Sequence, residues 1–147
     1  NEDGWIIPGC PVNGPKLAEK NGKVAIAWFT APEGDGRINV AFSNNLGKTF
    51  SDPIRVDGGQ SQGRVDLEWL DEKTVVVSWL DAKEEYSSIV YRKIETNGTL
   101  SEISYVESLG GGRGIGYPQF ELMEDKILFV WTNPLEKNQI KSRWIDL

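Results

Sequence analysis

The chain has no histidine, one cysteine and one methionine. Without histidine there can be no Ser-His-Asp triad, no imidazole general base and no Cys/His zinc site. The lone cysteine, Cys10, leaves no disulfide to form within the chain. A metal would need oxygen ligands throughout, and neither a metal nor another cofactor is expected. Cys10 lies between Gly9 and Pro11 with no cationic neighbour in sequence, so it reads as a small packed residue rather than a nucleophile. Long apolar runs are missing too: the stretches 23–30 and 126–132 end in charged or polar residues and fall far short of the roughly 18 residues a membrane span needs. There is no surplus of basic charge, since the formal net charge is −6 and the pI about 4.7 with both signs scattered, so nucleic acid is not an expected partner. The first residue is Asn1 and no signal peptide is recognisable, so the natural N-terminus is expected to lie upstream.

Helical periodicity is also absent, which leaves strands to build the fold. Three β-rich segments end in tryptophan, at Trp28, Trp79 and Trp131, which lie 51 and 52 residues apart. Each follows a polar turn (Glu19 to Gly22, Asp71 to Lys73, Glu124 to Lys126), and each turn follows a short strand opened by glycine at Gly14, Gly63 or Gly116. A third strand comes after each tryptophan, at residues 38–43, 88–94 and 139–145, and a fourth is visible twice, at 54–56 and 103–107. Four short antiparallel strands repeating every fifty residues or so are what a β-propeller blade requires. The predicted class is therefore all-β, with about three blades present, half of a six-bladed propeller. The blade units are placed at 8–57, 58–109 and 110–147, with 1–7 as an outer strand of a neighbouring blade. Three blades cannot close a ring, and an open arc leaves two apolar faces to be covered. The remaining propeller half, or a second copy of the chain, is expected to cover them.

At the end of the first blade's third strand stands Ser43-Asn-Asn-Leu-Gly47-Lys-Thr49-Phe50. This follows the Asp-box pattern with Asn45 in place of Asp. A short polar side chain at 45 can cap turn amides, Gly47 admits positive φ, and Phe50 can pack between strands. Box and blade period together resemble the sialidase-like superfamily, also called BNR-repeat proteins. That resemblance implies a glycan-binding or glycosidase function and an extracytoplasmic, periplasmic or secreted, location.

In a four-stranded propeller the loops entering the innermost strands and the loops between second and third strands open on one face, which is where a ligand is expected. The entering loops carry Asn13, then Arg64 with Asp66, then Arg113 with Tyr117. The second set carries the acids Glu33, Asp35, Asp81, Glu84, Glu85 and Glu136. Asn13, Arg64, Asp66 and Arg113 are the candidate ligand-binding residues, because paired guanidinium groups suit an acidic sugar. The resemblance further puts Tyr117 at the position of the sialidase nucleophile and Arg64 at that of one triad arginine. Two positions depart from the family: Gly14 stands where a glutamate would assist the tyrosine, and Phe29-Thr30 where a second arginine would stand. A phenol without that glutamate has no evident base. The function expected is thus a sialidase-like propeller that binds a carbohydrate without a complete catalytic set. The alternative is an exo-acting glycoside hydrolase whose remaining catalytic residues lie in a missing N-terminal half.

Overall fold

A computed structural model of the chain describes residues 3–6, 12–83, 86–110, 115–133 and 139–147. Three antiparallel sheets follow one another along the sequence. The first, in the order β1 (Lys16–Lys20), β2 (Lys23–Thr30), β3 (Arg37–Ser43) and β4 (Ile54–Arg55), has four strands. The second repeats it with β5 (Ser61–Trp69), β6 (Thr74–Lys83), β7 (Tyr86–Glu95) and β8 (Ser104–Gly110). The third has β9 (Gln119–Met123), β10 (Lys126–Asn133) and β11 (Gln139–Asp146), with no fourth strand among the described residues. The expected all-β class of repeated four-stranded sheets is what the chain forms, consistent with a partial propeller. Among the described residues no helix is long and apolar enough to cross a membrane.

Local chemistry explains the hairpins. Asn21 and Gly22 form the two-residue link between β1 and β2, at φ 50° and 82°, the pair that matches strand twist in a tight hairpin. Asp71 accepts the backbone N–H groups of Lys73 (2.7 Å) and Thr74 (2.9 Å), tying the β5–β6 turn. At the β3–β4 link Ser43 Oγ accepts from Gly47 N–H (3.0 Å), and Asn45 Oδ1 accepts from Thr49 N–H (3.0 Å). Gly47 adopts φ 77°, and Phe50 remains partly exposed.

The second sheet lies between the other two, and its middle strand shows the consequence. Val75, Val77 and Trp79 on β6 pack with Ala25, Ala27, Ile38 and Val40 of the first sheet, while Val76 and Leu80 face Ile127, Phe129 and Trp131 of the third. A strand covered on both faces reads as a near-continuous apolar run, and Thr74-Val-Val-Val-Ser-Trp79 is one. Trp69, which does not follow the tryptophan period, closes the inner seam: it is buried, and its indole N–H donates to the Ala18 carbonyl at 3.2 Å. The outer faces of the end sheets are different. On β2, Ala25 and Ala27 are fully buried while the alternate residues Ile26 and Trp28 are only partly covered; on β10 the same holds for Leu128 and Val130.

Residues 3–6 form no strand. Trp5 stands edge-on to Phe29 with ring centroids 5.2 Å apart, and Ile6 is 89% exposed.

Candidate functional site

Both loop sets meet at one end of the sheets. Ala82 N–H donates to the Gln60 carbonyl and Ser87 Oγ to Gln62 Oε1, both at 2.9 Å, joining the β6–β7 end to the segment entering β5. Gly36, from the β2–β3 loop, lies so close that a Cβ there would be 2.3 Å from the Ser61 carbonyl oxygen.

At this end the three entering segments form a chain of contacts. Asn13 Oδ1 accepts the Arg64 backbone N–H (3.0 Å) and its Nδ2 donates to the Gln62 carbonyl (3.3 Å). Those bonds hold an irregular stretch of β5, in which Gly63 and Arg64 take φ 82° and 58° and the pairing with β6 shifts register. Gly63 is required twice over, by that φ and because a Cβ would come within 2.6 Å of the Asn13 side chain. The bulge sends the Arg64 side chain toward the third entering segment. There Nη1 donates to the Gly116 carbonyl (2.8 Å), and the guanidinium carbon sits 5.3 Å from the centre of the Tyr117 ring. Tyr117 is 49% exposed, and its hydroxyl donates to the Val12 carbonyl, closing the circuit back to the first segment.

Asn13, Arg64 and Tyr117 are therefore brought together. Asp66 is not paired with Arg64. Its buried carboxylate accepts the Phe120 N–H on β9 (2.9 Å) and the Leu67 N–H (3.1 Å), and it forms an ion pair with Lys16 on β1 (3.3 Å). Lys16 also donates to Gln119 Oε1 at 3.0 Å. One carboxylate thus ties the inner strands of all three sheets. Arg113, Glu84, Glu85, Glu136 and Cys10 lie outside the described residues. Of the other loop acids, Asp35 pairs with Arg55 and Arg37, whose hydrogen bonds, that of Arg55 first, hold its carboxyl below the ordinary range. Asp81 accepts the Trp79 indole N–H (3.1 Å), and Glu33 sits in a tight turn at φ 56°.

Two carboxylates escaped the sequence reading. Glu68 and Glu121 share with Lys16, Asp66 and Gln119 a cleft of about 250 Å³ along the inner strands. The alternation Asp66-Leu67-Glu68 was the available signal, since it puts both acids on the face opposite buried Leu67. Burial raises the Glu68 pKa above the ordinary carboxyl range, with Glu121 and Asp66 adding repulsion and Lys16 opposing it. An acid whose folded pKa is raised stabilises the fold least when ionised. Stability from this group is fullest below the ordinary glutamate range and falls as pH rises through the raised folded value. Glu68→Gln is therefore expected to raise stability slightly at pH 7 and leave it unchanged at pH 3.5. Urea midpoints of the two proteins at both values check this.

Among the described residues no group of three or more acidic or cysteine side chains could hold a metal ion. No protein-family model matches the chain, and no curated protein sequence does. Among solved structures it is similar to the α-L-arabinanase of Penicillium chrysogenum complexed with arabinobiose, with a TM-score of 0.71 at 13% identity, over 97% of this chain and 47% of that one. The chain shares the fold of that arabinanase. It spans about half its length. A GH43 endo-arabinanase from Bacillus licheniformis aligns at 12% identity over 90% of this chain and 72% of its own, but with a TM-score of 0.32, too low to carry argument.

This corrects the expected kinship. A structure that shares the fold is an arabinanase, not a sialidase, so the sialidase-like, BNR-repeat assignment falls, and with it the function of a sialidase-like propeller confined to binding. The physical reason lies in the Ser43–Phe50 turn. Its bonds run from side chains to amides within a few residues, a local solution open to any hairpin with those residues, so it marks a turn and not a lineage.

Proposed function

We propose that the chain is three blades of a six-bladed glycoside-hydrolase propeller, with units at 8–57, 58–109 and 110–147, that acts on an arabinose-containing glycan at the end where Asn13, Arg64 and Tyr117 meet. The observation that supports it most is the fold shared with an α-L-arabinanase over 97% of this chain. The geometry is in keeping with a sugar site. An arginine fixed by one carbonyl and one aromatic face has N–H donors left for hydroxyl groups, and a half-exposed tyrosine ring offers an apolar platform to a sugar face. In this reading Tyr117 serves as the platform, with its hydroxyl engaged by Val12. Glu68, whose carboxyl burial pushes above its ordinary pKa, lies with Glu121 in the cleft along the inner strands and is the candidate general acid. An extracytoplasmic location belongs to the same proposal.

Release of arabinose or its oligomers from arabinan and from chromogenic α-L-arabinofuranosides tests it. Turnover is expected, with a loss of a hundredfold or so on Arg64→Ala by removal of an orienting charge-assisted contact. Tyr117→Phe, which keeps the ring, is expected to retain activity within a few fold; a complete loss would instead make the phenol a reacting group. Arabinan bound but never cleaved would reject the hydrolase.

A further inference from the structure

The middle sheet departs from the first at the end where the candidate site lies. From Trp28 to its cross-strand partner Asn39 and from Trp79 to its partner Val90 the chain runs the same number of residues. The first of these connections stops pairing at Thr30 and Arg37 and turns aside through Pro32–Gly34. The second goes on pairing, Ala82 with Ser87 and Lys83 with Tyr86. It is zipped for two rows more and stands up as a straight rib, about 7 Å higher than the β2–β3 ladder. The segment entering β5 braces it, through the bonds from Ala82 N–H to the Gln60 carbonyl and from Ser87 Oγ to Gln62 Oε1. Gln60 takes φ 64°, a left-handed backbone that a non-glycine residue keeps only where its surroundings hold it. The same segment carries the bulge that aims Arg64, so rib and arginine are built on one piece of chain. Tyr86 tops the rib. Below it on the same face of β7, Ser88 and Val90 are each 6% exposed, whereas Tyr86 is 58% exposed. That exposure does not come from an open end of the arc, because the second sheet has a neighbouring sheet on either side.

From this we propose that Tyr86 is the platform of a second sugar subsite, so that the site takes a chain of sugar units rather than a single terminal one. Ser61, Asp81 and Ser88 form one row across β5, β6 and β7. Tyr86 therefore stands two interstrand spacings, about 10 Å, outward from the strand that carries Arg64. That is wider than one sugar ring, and it puts Tyr117, beside the inner strands, and Tyr86, on the rib, under different units of one bound chain. A tyrosine suits the place: its ring face packs against the apolar side of a sugar, and its two side-chain torsions cost little to order. Buried Ser87, bonded to Gln62, fixes the backbone beside the ring. The subsite rests on the reading of the site as one for an arabinose-containing glycan and deepens it, since it sets the site apart from that of an exo-acting enzyme.

Calorimetric titration with α-1,5-linked arabinobiose and arabinopentaose tests the subsite. The pentaose is expected to bind more tightly than the biose. Tyr86→Ala is expected to shrink the ratio of the two dissociation constants by about tenfold, the worth of one aromatic contact, with the sheet circular dichroism unchanged. Tyr86→Phe, which keeps the ring, is expected to keep the ratio. Tyr86→Gln, which keeps length without a ring, takes the place of the alanine variant should that one lose its sheet spectrum. A ratio that loss of the ring leaves unchanged overturns the proposal, whether both sugars bind as before or both weaken alike. A wild-type chain that binds neither sugar, or both equally, overturns it as well. The subsite and the hydrolase fail separately: length-dependent binding that is lost with the ring, but without release of arabinose, rejects the hydrolase alone, and cleavage of arabinan with an unchanged ratio rejects the subsite alone.

Discussion

Trp79→Ala is expected to cost about 3–5 kcal/mol, the range for truncating a buried tryptophan, read as a lower urea midpoint at unchanged slope. Trp79 is almost wholly buried between the first and second sheets, and its indole N–H is satisfied by Asp81. Truncation leaves a cavity between two sheets whose backbones are held apart by neighbours such as Val77 and Leu67, so collapse can recover little of the loss. Against a total stability on the order of 5–15 kcal/mol, that is a large share. Trp28→Ala supplies the contrast. It sits at the matching sheet position but is only partly covered, and is expected to cost less, about 1–2 kcal/mol. The difference between the two isolates what cover by a neighbouring sheet contributes. Equal costs would mean that Trp28 is as closely packed within its own sheet as Trp79 is between two.

The period was legible because a blade's demands are local and repetitive. Each middle strand must end in a large apolar residue toward the preceding sheet, and each hairpin needs its turn residues, so Trp28, Trp79 and Trp131 and the Asn21-Gly22 turn announce themselves. The candidate site was legible only by segment. Sequence alternation puts Arg64 and Asp66, two residues apart, on one strand face, and so suggests a pair. The left-handed backbone at Gly63 and Arg64 breaks that alternation, sending arginine to Gly116 and Tyr117 while Asp66 turns to Lys16 and β9. Nothing in a strand pattern reports such a bulge, since it depends on Asn13, 51 residues away, accepting the Arg64 N–H. Family was the least legible feature. The Ser43–Phe50 turn is specified by amide capping within one hairpin, and a motif that solves a local problem carries no information on what the opposite end of the sheets binds.

Asp66 is where stability and site geometry are joined, and Asp66→Ala is expected to weaken both. Its carboxylate is held by the Lys16 ammonium and by the N–H groups of Leu67 and Phe120. Alanine would leave the buried Phe120 amide without its acceptor and free Lys16 from its partner. Lys16 is itself 39% exposed, so its share is screened and regains water. The dominant cost is the orphaned amide and the lost charge-assisted bonds, about 2–4 kcal/mol together. Asp66→Asn, which can still offer its amide oxygen to Phe120, is expected to cost about half as much, whereas Lys16→Met, which leaves both amide bonds in place, should cost under about 1 kcal/mol. That order in the urea midpoints separates an amide anchor from a simple ion pair; were Lys16→Met as damaging as Asp66→Ala, the ion pair would be the governing element. The effect reaches the site because Phe120 lies three residues beyond Tyr117. Once β9 slackens against β5, the tyrosine ring loses its fixed place beneath the Arg64 guanidinium. Under conditions where Asp66→Asn remains folded, the proposed turnover on arabinan is therefore expected to fall by tenfold or so, with Asn13 and Arg64 unchanged.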